Sequence, residues 1–307
     1  RYLELLGKPS KIPENGYHGA DIIETARAII EQDGDRYLQL DEAERLVIFK
    51  NRAYEEKLKA LKRDLENFNV TYDKWFSERS LHPAAICEAC EILKANGNIY
   101  EEDGALWLKS SAYGDDKDRV VIRDNGVPTY LAADIAYHKN KYERGFKKMI
   151  NIWGADHHGY VARVKAAMEA LGFDADKLEI LLLQMVSLFR NGELVKMSKR
   201  TGRAITLNEL IEEVGTDAAR YFFIMRSLDT QLDFDLDLAT SHSNENPVYY
   251  IQYANARIFS IYRQVAENGD TFDMTWKNVV WNKLQEEREL ELIKKISAYP
   301  EEIQTAA

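Results

Sequence analysis

The chain has 307 residues, 45% hydrophobic and 30% charged, enough for about two ordinary domains with a sizeable core and a well-solvated surface. No apolar run approaches the roughly 20 residues that span a bilayer, because the longest, "LEILLLQMVSLF" at 178–189, is broken by Gln184 and Ser187. A net charge of −10 argues against indiscriminate nucleic-acid binding while leaving room for one specific RNA on a local basic patch, and two cysteines exclude a disulfide framework.

Apolar residues at helical spacing predict helices over 20–33 and 41–67, with Asp41 as N-cap and Glu44 three residues on. These helices read as an insertion or a bridging layer. The alternation in "NVTYDKW" (69–75) predicts a strand, and a helix over 83–95 follows, closed by "NGN". That helix carries Cys87 and Cys90, a single C-x-x-C. One such pair supplies half of a structural zinc site, so the two read as small residues on a core-facing stripe, and a reducing, cytoplasmic setting is expected.

From 98 to 130 the pattern is short strands and turns, with Asp103-Gly104 and Asn125-Gly126 as hairpin turns. From 131 the predicted order is helix (131–145), strand (149–154), helix (160–171), strand (178–189) and a hairpin through Asn191-Gly192. Strands alternating with helices predict a parallel sheet, in which ligands sit at the carboxyl ends of strands. From about 206 the chain reads as helical, ending in two long patterns at 245–266 and 275–298.

Three stretches carry candidate chemistry. In "GADHHGY" (154–160) a glycine at a strand end admits a ligand to the backbone, and Asp156 can accept from ribose hydroxyls. His157 and His158 follow at a helix start. The plain alternative is a helix capped by Asp156 with satisfied histidines. Tyr130 and Asp134, four apart on one helix, can together hold a cationic amine or guanidinium; the alternative is an acid placed for the helix dipole. In "LVKMSKRTGR" (194–203) Lys196 and Lys199 stand three apart with small residues between, which fits a loop wrapping a polyphosphate. A solvated basic loop or a nuclear-import patch is the alternative. The loop is expected after the last strand of the parallel sheet.

"KMSKR" at 196–200 resembles the second signature of class I aminoacyl-tRNA synthetases, and within them the chain resembles arginyl-tRNA synthetases of bacterial type. "TYLAADIAYHKNKYERGF", "INIWGADHHGYVARVKAAMEALG", "DAARYFFIMRSLDTQLDFDLDLA" and "SNENPVYYIQYANARI" carry the likeness over most of 85–265, and "YHGADIIETA" extends it weakly toward the start. The resemblance implies an α/β fold: the second part of a Rossmann-like catalytic domain over 1–240, with helical and β insertions at about 20–128, then the start of a helical anticodon-binding bundle at 241–307. It implies activation of arginine by ATP, with Mg2+ as the ATP complex and no structural metal, followed by transfer to tRNA(Arg). No membrane or DNA partner is expected.

By the same resemblance Lys196 and Lys199 hold the ATP phosphates, and Met197 and Ser198 shape the loop. Gly154, Asp156 and His157 line the ribose and adenine side, and Gln184 and Met185 flank the adenine. Tyr130 and Asp134 read the arginine side chain. One departure stands out. None of the six histidines (His18, His82, His138, His157, His158, His242) forms the family's first signature, His-x-Gly-His. The chain therefore reads as a central fragment, expected to be inactive alone. Two alternatives remain. Another class I synthetase would need a zinc-binding Cys/His set or an apolar side-chain pocket. A catalytically silent synthetase-like RNA-binding or regulatory protein would fit the missing histidines if these 307 residues were the whole natural chain.

Overall fold

The computed structural model describes residues 1–12, 16–17, 19–195, 205–271, 275, 277 and 279–306. They fall into two compact units, Arg1–Val248 and Tyr249–Ala307.

The first unit opens with α1 (Tyr2–Leu5), α2 (Ala20–Asp33) and α3 (Glu42–Asn67). As expected, Asp41 caps α3, its carboxylate accepting the Glu44 N–H at 2.8 Å. Tyr2, Tyr37 and Phe49 form an aromatic knot beneath α2 and the start of α3. At the other end of α3, Arg220 donates to the Phe68 carbonyl at 2.7 Å and Thr216 to that of Asn67 at 3.1 Å. A helix with no buried residue of its own thus bridges two packed regions.

Residues 69–75 form no strand. Asn69 turns left-handed (φ 56°) and the Val70 N–H closes onto the Leu65 carbonyl. Tyr72 and Trp75 then pack on each other at 5.2 Å, with the Lys62 ammonium 5.1 Å from the Trp75 ring. The alternation predicts two faces, but among the described residues the segment pairs with no strand.

Next come α4 (Ala84–Ala95), β1 (Ile99–Glu102), β2 (Ala105–Leu108) and β3 (Arg119–Ile122), an antiparallel sheet in that order. Asp103 and Gly104 both take positive φ (52° and 74°), as a two-residue hairpin requires. The Asn125-Gly126 turn brings back a single bridge, Ile122 to Pro128. Proline has no N–H to extend a ladder, and α5 (Tyr130–Glu143) begins two residues on. On α4, Cys90 packs against the core while Cys87 is exposed, so only one of the pair lies on the apolar stripe.

β4 (Met149–Gly154) and β5 (Leu178–Leu183) are parallel and joined through α6 (Val161–Ala170), a βαβ unit packed against α4 and α5. The predicted strand 178–189 is two strands. β5 stops at Leu183, the Gln184 N–H turns to the Leu228 carbonyl at 2.9 Å, and β6 (Val186–Arg190) joins a different sheet. Both halves are apolar enough for two-sided burial, so periodicity could not mark the break; the polar Gln184 does.

The third sheet among the described residues is mixed, with order β7-β6-β8: β7 (Glu193–Leu194) is antiparallel and β8 (Leu232–Asp235) parallel to β6. The strand before the basic segment is thus a hairpin return and not the last parallel strand. β8 interrupts the helical stretch predicted from about 206, and "LDFD" alternates buried Leu232 and Phe234 with two exposed aspartates. α7 (Leu207–Val214), α8 (Thr216–Ile224) and α9 (Leu236–Thr240) pack on this sheet. A reciprocal Thr206–Glu209 capping box starts α7.

The last two helices are α10 (Pro247–Glu267) and α11 (Glu287–Ala306). α11 begins later than the predicted 275. Trp281–Lys283 form a 3-10 turn, and the Glu286 N–H is received by the Glu289 carboxylate at 3.0 Å. Among the described residues no helix is long and apolar enough to cross a membrane.

Candidate active site

Register assembles one side of the site. Gly154 pairs with Leu183 across the parallel β4–β5 ladder, so both strands end at the same level. The 3-10 turn Ala155–Tyr160 leaves from one end, and Gln184 and Met185 leave from the other. Gly154, Asp156, His157, Gln184 and Met185 therefore share the carboxyl edge of this sheet.

Gly154 has φ −65° and ψ 150°, which any residue can adopt, so its smallness is a matter of space. A Cβ there would stand 2.6 Å from Oδ1 of Asp156. Asp156 caps no helix: the 3-10 turn separates it from α6, whose N-cap is Tyr160, without a side-chain cap. Its carboxylate is 74% exposed, with Nε2 of His157 3.9 Å away. Met185 is exposed and Gln184 half-buried.

The other side is built on α5. The Thr129 hydroxyl donates to the Val120 carbonyl at 3.0 Å, and its N–H to that of Val121 at 2.9 Å, which ties the helix start to β3. Tyr130, the first helical residue, is 83% exposed. Asp134, one turn on, is half-buried, and the Tyr160 hydroxyl donates to its Oδ2 at 2.8 Å. Burial raises the Asp134 carboxyl above its usual range; the Tyr160 hydrogen bond opposes this, Glu78 adds to it, and Lys141 and His157 offset part. Burial, and then the Asp134 charge, push the Tyr160 phenol well above its ordinary value.

Beneath Asp134 lies a buried polar chain. His138 Nδ1 lies 2.8 Å from the Asp134 carbonyl, and the Asn151 amide nitrogen lies 2.7 Å from His138 Nε2. A neutral imidazole with its proton on Nδ1 satisfies both contacts. Burial pushes the His138 imidazole down to about 4. Lys141 donates to Oδ1 of Asn151 at 2.9 Å and covers the Tyr137 ring at 4.4 Å; burial lowers its ammonium.

Tyr160 thus ties Asp134 to the turn that follows β4, and its ring also meets Trp153 at 5.8 Å. Lys196, Met197, Ser198 and Lys199 lie outside the described residues. Sequence reasoning missed Tyr160, His138, Asn151 and Lys141. For three of them a signal is present: Asp134 to His138 and Tyr137 to Lys141 are four-residue helical steps, and Asn151 is a polar residue at an inward strand position; Tyr160 carries no such local signal. Among the described residues no three His, Cys, Asp or Glu side chains cluster to hold a metal.

A family profile described as "tRNA synthetases class I (R), catalytic domain" matches residues 22–227, a span that contains every element of this site. The chain belongs to the class I arginyl-tRNA synthetase family. A second profile, "DALR anticodon binding domain", matches 251–307. The fold of the chain is therefore a class I catalytic domain followed by a helical anticodon-binding domain. It is 58% identical to an arginine–tRNA ligase of Carboxydothermus hydrogenoformans, over all of this chain and 55% of that protein. An arginine–tRNA ligase of Desulforudis audaxviator is 54% identical over the same shares. A solved structure assigned as an arginyl-tRNA synthetase, from Campylobacter jejuni, superposes with a TM-score of 0.80 at 43% identity, covering 90% of this chain and 59% of that one. The chain spans about half the length of the curated relatives it matches.

Proposed function

We propose that this chain carries the arginine- and nucleotide-binding part of an arginine–tRNA ligase, which forms arginyl-adenylate and pyrophosphate from arginine and ATP and then transfers arginine to tRNA(Arg). One observation carries this reading. Asp134 is a half-buried carboxylate with a hydroxyl partner and, among the described residues, no cation in ion-pair contact, linked through Tyr160 to the turn that follows Gly154. A buried carboxylate in that state favours a cationic ligand, and a guanidinium supplies planar paired donors.

Asp134 and Tyr130 receive the guanidinium. Gly154, Asp156 and His157 line the ribose and adenine side, with Gln184 and Met185 flanking the base. Lys196 and Lys199, in a loop shaped by Met197 and Ser198, grip the ATP phosphates, where negative charge builds in the transition state. Mg2+ enters as the ATP complex. The catalytic part spans 1–240, with insertions at about 20–128, and the anticodon-binding part 241–307; the protein works in the cytoplasm. Without a His-x-Gly-His signature, these 307 residues alone are expected to be inactive.

The alternative reading is a catalytically silent relative that binds RNA or regulates. Arginine-dependent exchange of pyrophosphate into ATP by the intact protein, with and without tRNA, separates the two. Exchange supports the ligase, and its absence under both conditions supports the silent relative.

A further inference from the structure

Behind the Asp134–Tyr160 pair sits an arginine that the proposed function does not use. Arg163, on α6, places its guanidinium carbon 4.8 Å from the centre of the Tyr160 ring. Its Nε is buried, lacks a hydrogen-bond partner and stands 3.8 Å from Oδ2 of Asp115. An unsatisfied buried donor is a cost, so this guanidinium is held by charge and by the aromatic face and not by hydrogen bonding at Nε.

Asp115 is a fixed anchor. Its side chain is 1% exposed and takes a two-pronged grip from Arg119 at 2.8 and 2.9 Å. It also accepts from the Ser110 hydroxyl at 3.0 Å and the Asp116 N–H at 2.9 Å. The series Asp115, Arg163, Tyr160, Asp134 therefore runs from the loop before β3, across α6, to the carboxylate assigned to arginine. The last link matters because Tyr160 takes Oδ2, whereas Oδ1 has no hydrogen-bond partner among the described residues.

We propose that Arg163 is a positioning residue for recognition of the substrate arginine: anchored by Asp115, it braces the Tyr160 ring, and Tyr160 fixes the Asp134 carboxylate with one oxygen left for the guanidinium. This rests on the reading of Asp134 given above. Arg163 touches no substrate; it restricts rotation of the tyrosine ring, and hence of the carboxylate.

The test is a double-mutant cycle in the intact protein, read as equilibrium affinities for arginine and for ATP. Arg163→Lys keeps a charge for Asp115 and removes the planar brace; Arg163→Gln serves as a second variant should the lysine disturb folding. Each is expected to weaken arginine by about tenfold while ATP stays within about twofold. In a Tyr160→Phe background the same change adds less than about twofold, since the hydroxyl that the brace positions is gone. Unchanged arginine affinity, equal loss for both ligands, or effects that multiply fully across the cycle would overturn the proposal. Asp134→Asn separates the two levels. Should it weaken arginine selectively while Arg163→Lys does not, the brace alone is wrong; should it leave arginine untouched, the reading of the site is wrong.

Discussion

Replacing Gly154 with alanine separates a glycine kept for the fold from one kept for a ligand. The backbone at 154 (φ −65°, ψ 150°) is open to alanine. In such a conformation Gly→Ala stabilises by roughly 0.4–1 kcal/mol, by narrowing the unfolded ensemble. Against this, the new Cβ would lie 2.6 Å from Oδ1 of Asp156, well inside ordinary contact, so that carboxylate must rotate. It is the exposed end of a short side chain, and an off-rotamer cost is about 0.5–1.5 kcal/mol. The two effects nearly cancel, and urea denaturation should place the variant within about 1 kcal/mol of the parent. ATP binding should behave otherwise. The methyl group occupies the approach at the strand end and displaces the carboxylate assigned to the ribose, so calorimetry should show ATP weakened by about tenfold or more and arginine little changed. Unaltered ATP affinity would refute the reasoning, and so would a stability loss beyond about 2 kcal/mol, which would make Gly154 structural.

Three further outcomes are expected. Lys199→Ala in the intact protein should slow adenylate formation by about 10²–10³, as loss of one preorganised transition-state donor does, measured by pyrophosphate exchange. Arginine affinity should fall as pH drops through the raised titration range of Asp134, because a protonated carboxyl cannot pair with a guanidinium; a calorimetric pH series in which Asp134→Asn shows the same fall would contradict this. His138 is buried neutral, with its imidazole lowered from 6.5 to about 4, so in that window the unfolded chain binds a proton that the folded chain refuses. Stability should then drop as pH falls from 7 to 5, by about 2 kcal/mol for this group, and His138→Gln should lose that share of the slope in urea titrations. Asp134, shifted upward, acts with the opposite sign between 3.8 and its folded value, which makes the comparison with the variant necessary.

Much of this arrangement was legible in the residues because local signals agreed with the fold. Asp41 capped the helix it was expected to cap, Asn191-Gly192 made the expected hairpin, and 149–154 is the predicted strand to the residue. What failed depended on partners far away in sequence. Residues 69–75 alternate like a strand, but among the described residues they pair with no strand. The 178–189 run continues as apolar sequence across a point where the chain changes sheets, and only Gln184 betrays it. Asp134 was recognised from its neighbour Tyr130, whereas the hydroxyl that holds it comes from Tyr160, 26 residues on. Local spacing shows which residues share a helix face; it does not show which residue a crossover returns to that face.

Arginine and ATP affinities of the intact protein, measured by calorimetry before and after Asp134→Asn, test the central claim most directly. The account predicts that arginine weakens by about 100-fold or more while ATP changes by less than about threefold, because a charge-paired carboxylate is replaced by a neutral amide. Equal weakening of both ligands, or arginine bound as tightly as before, would contradict it.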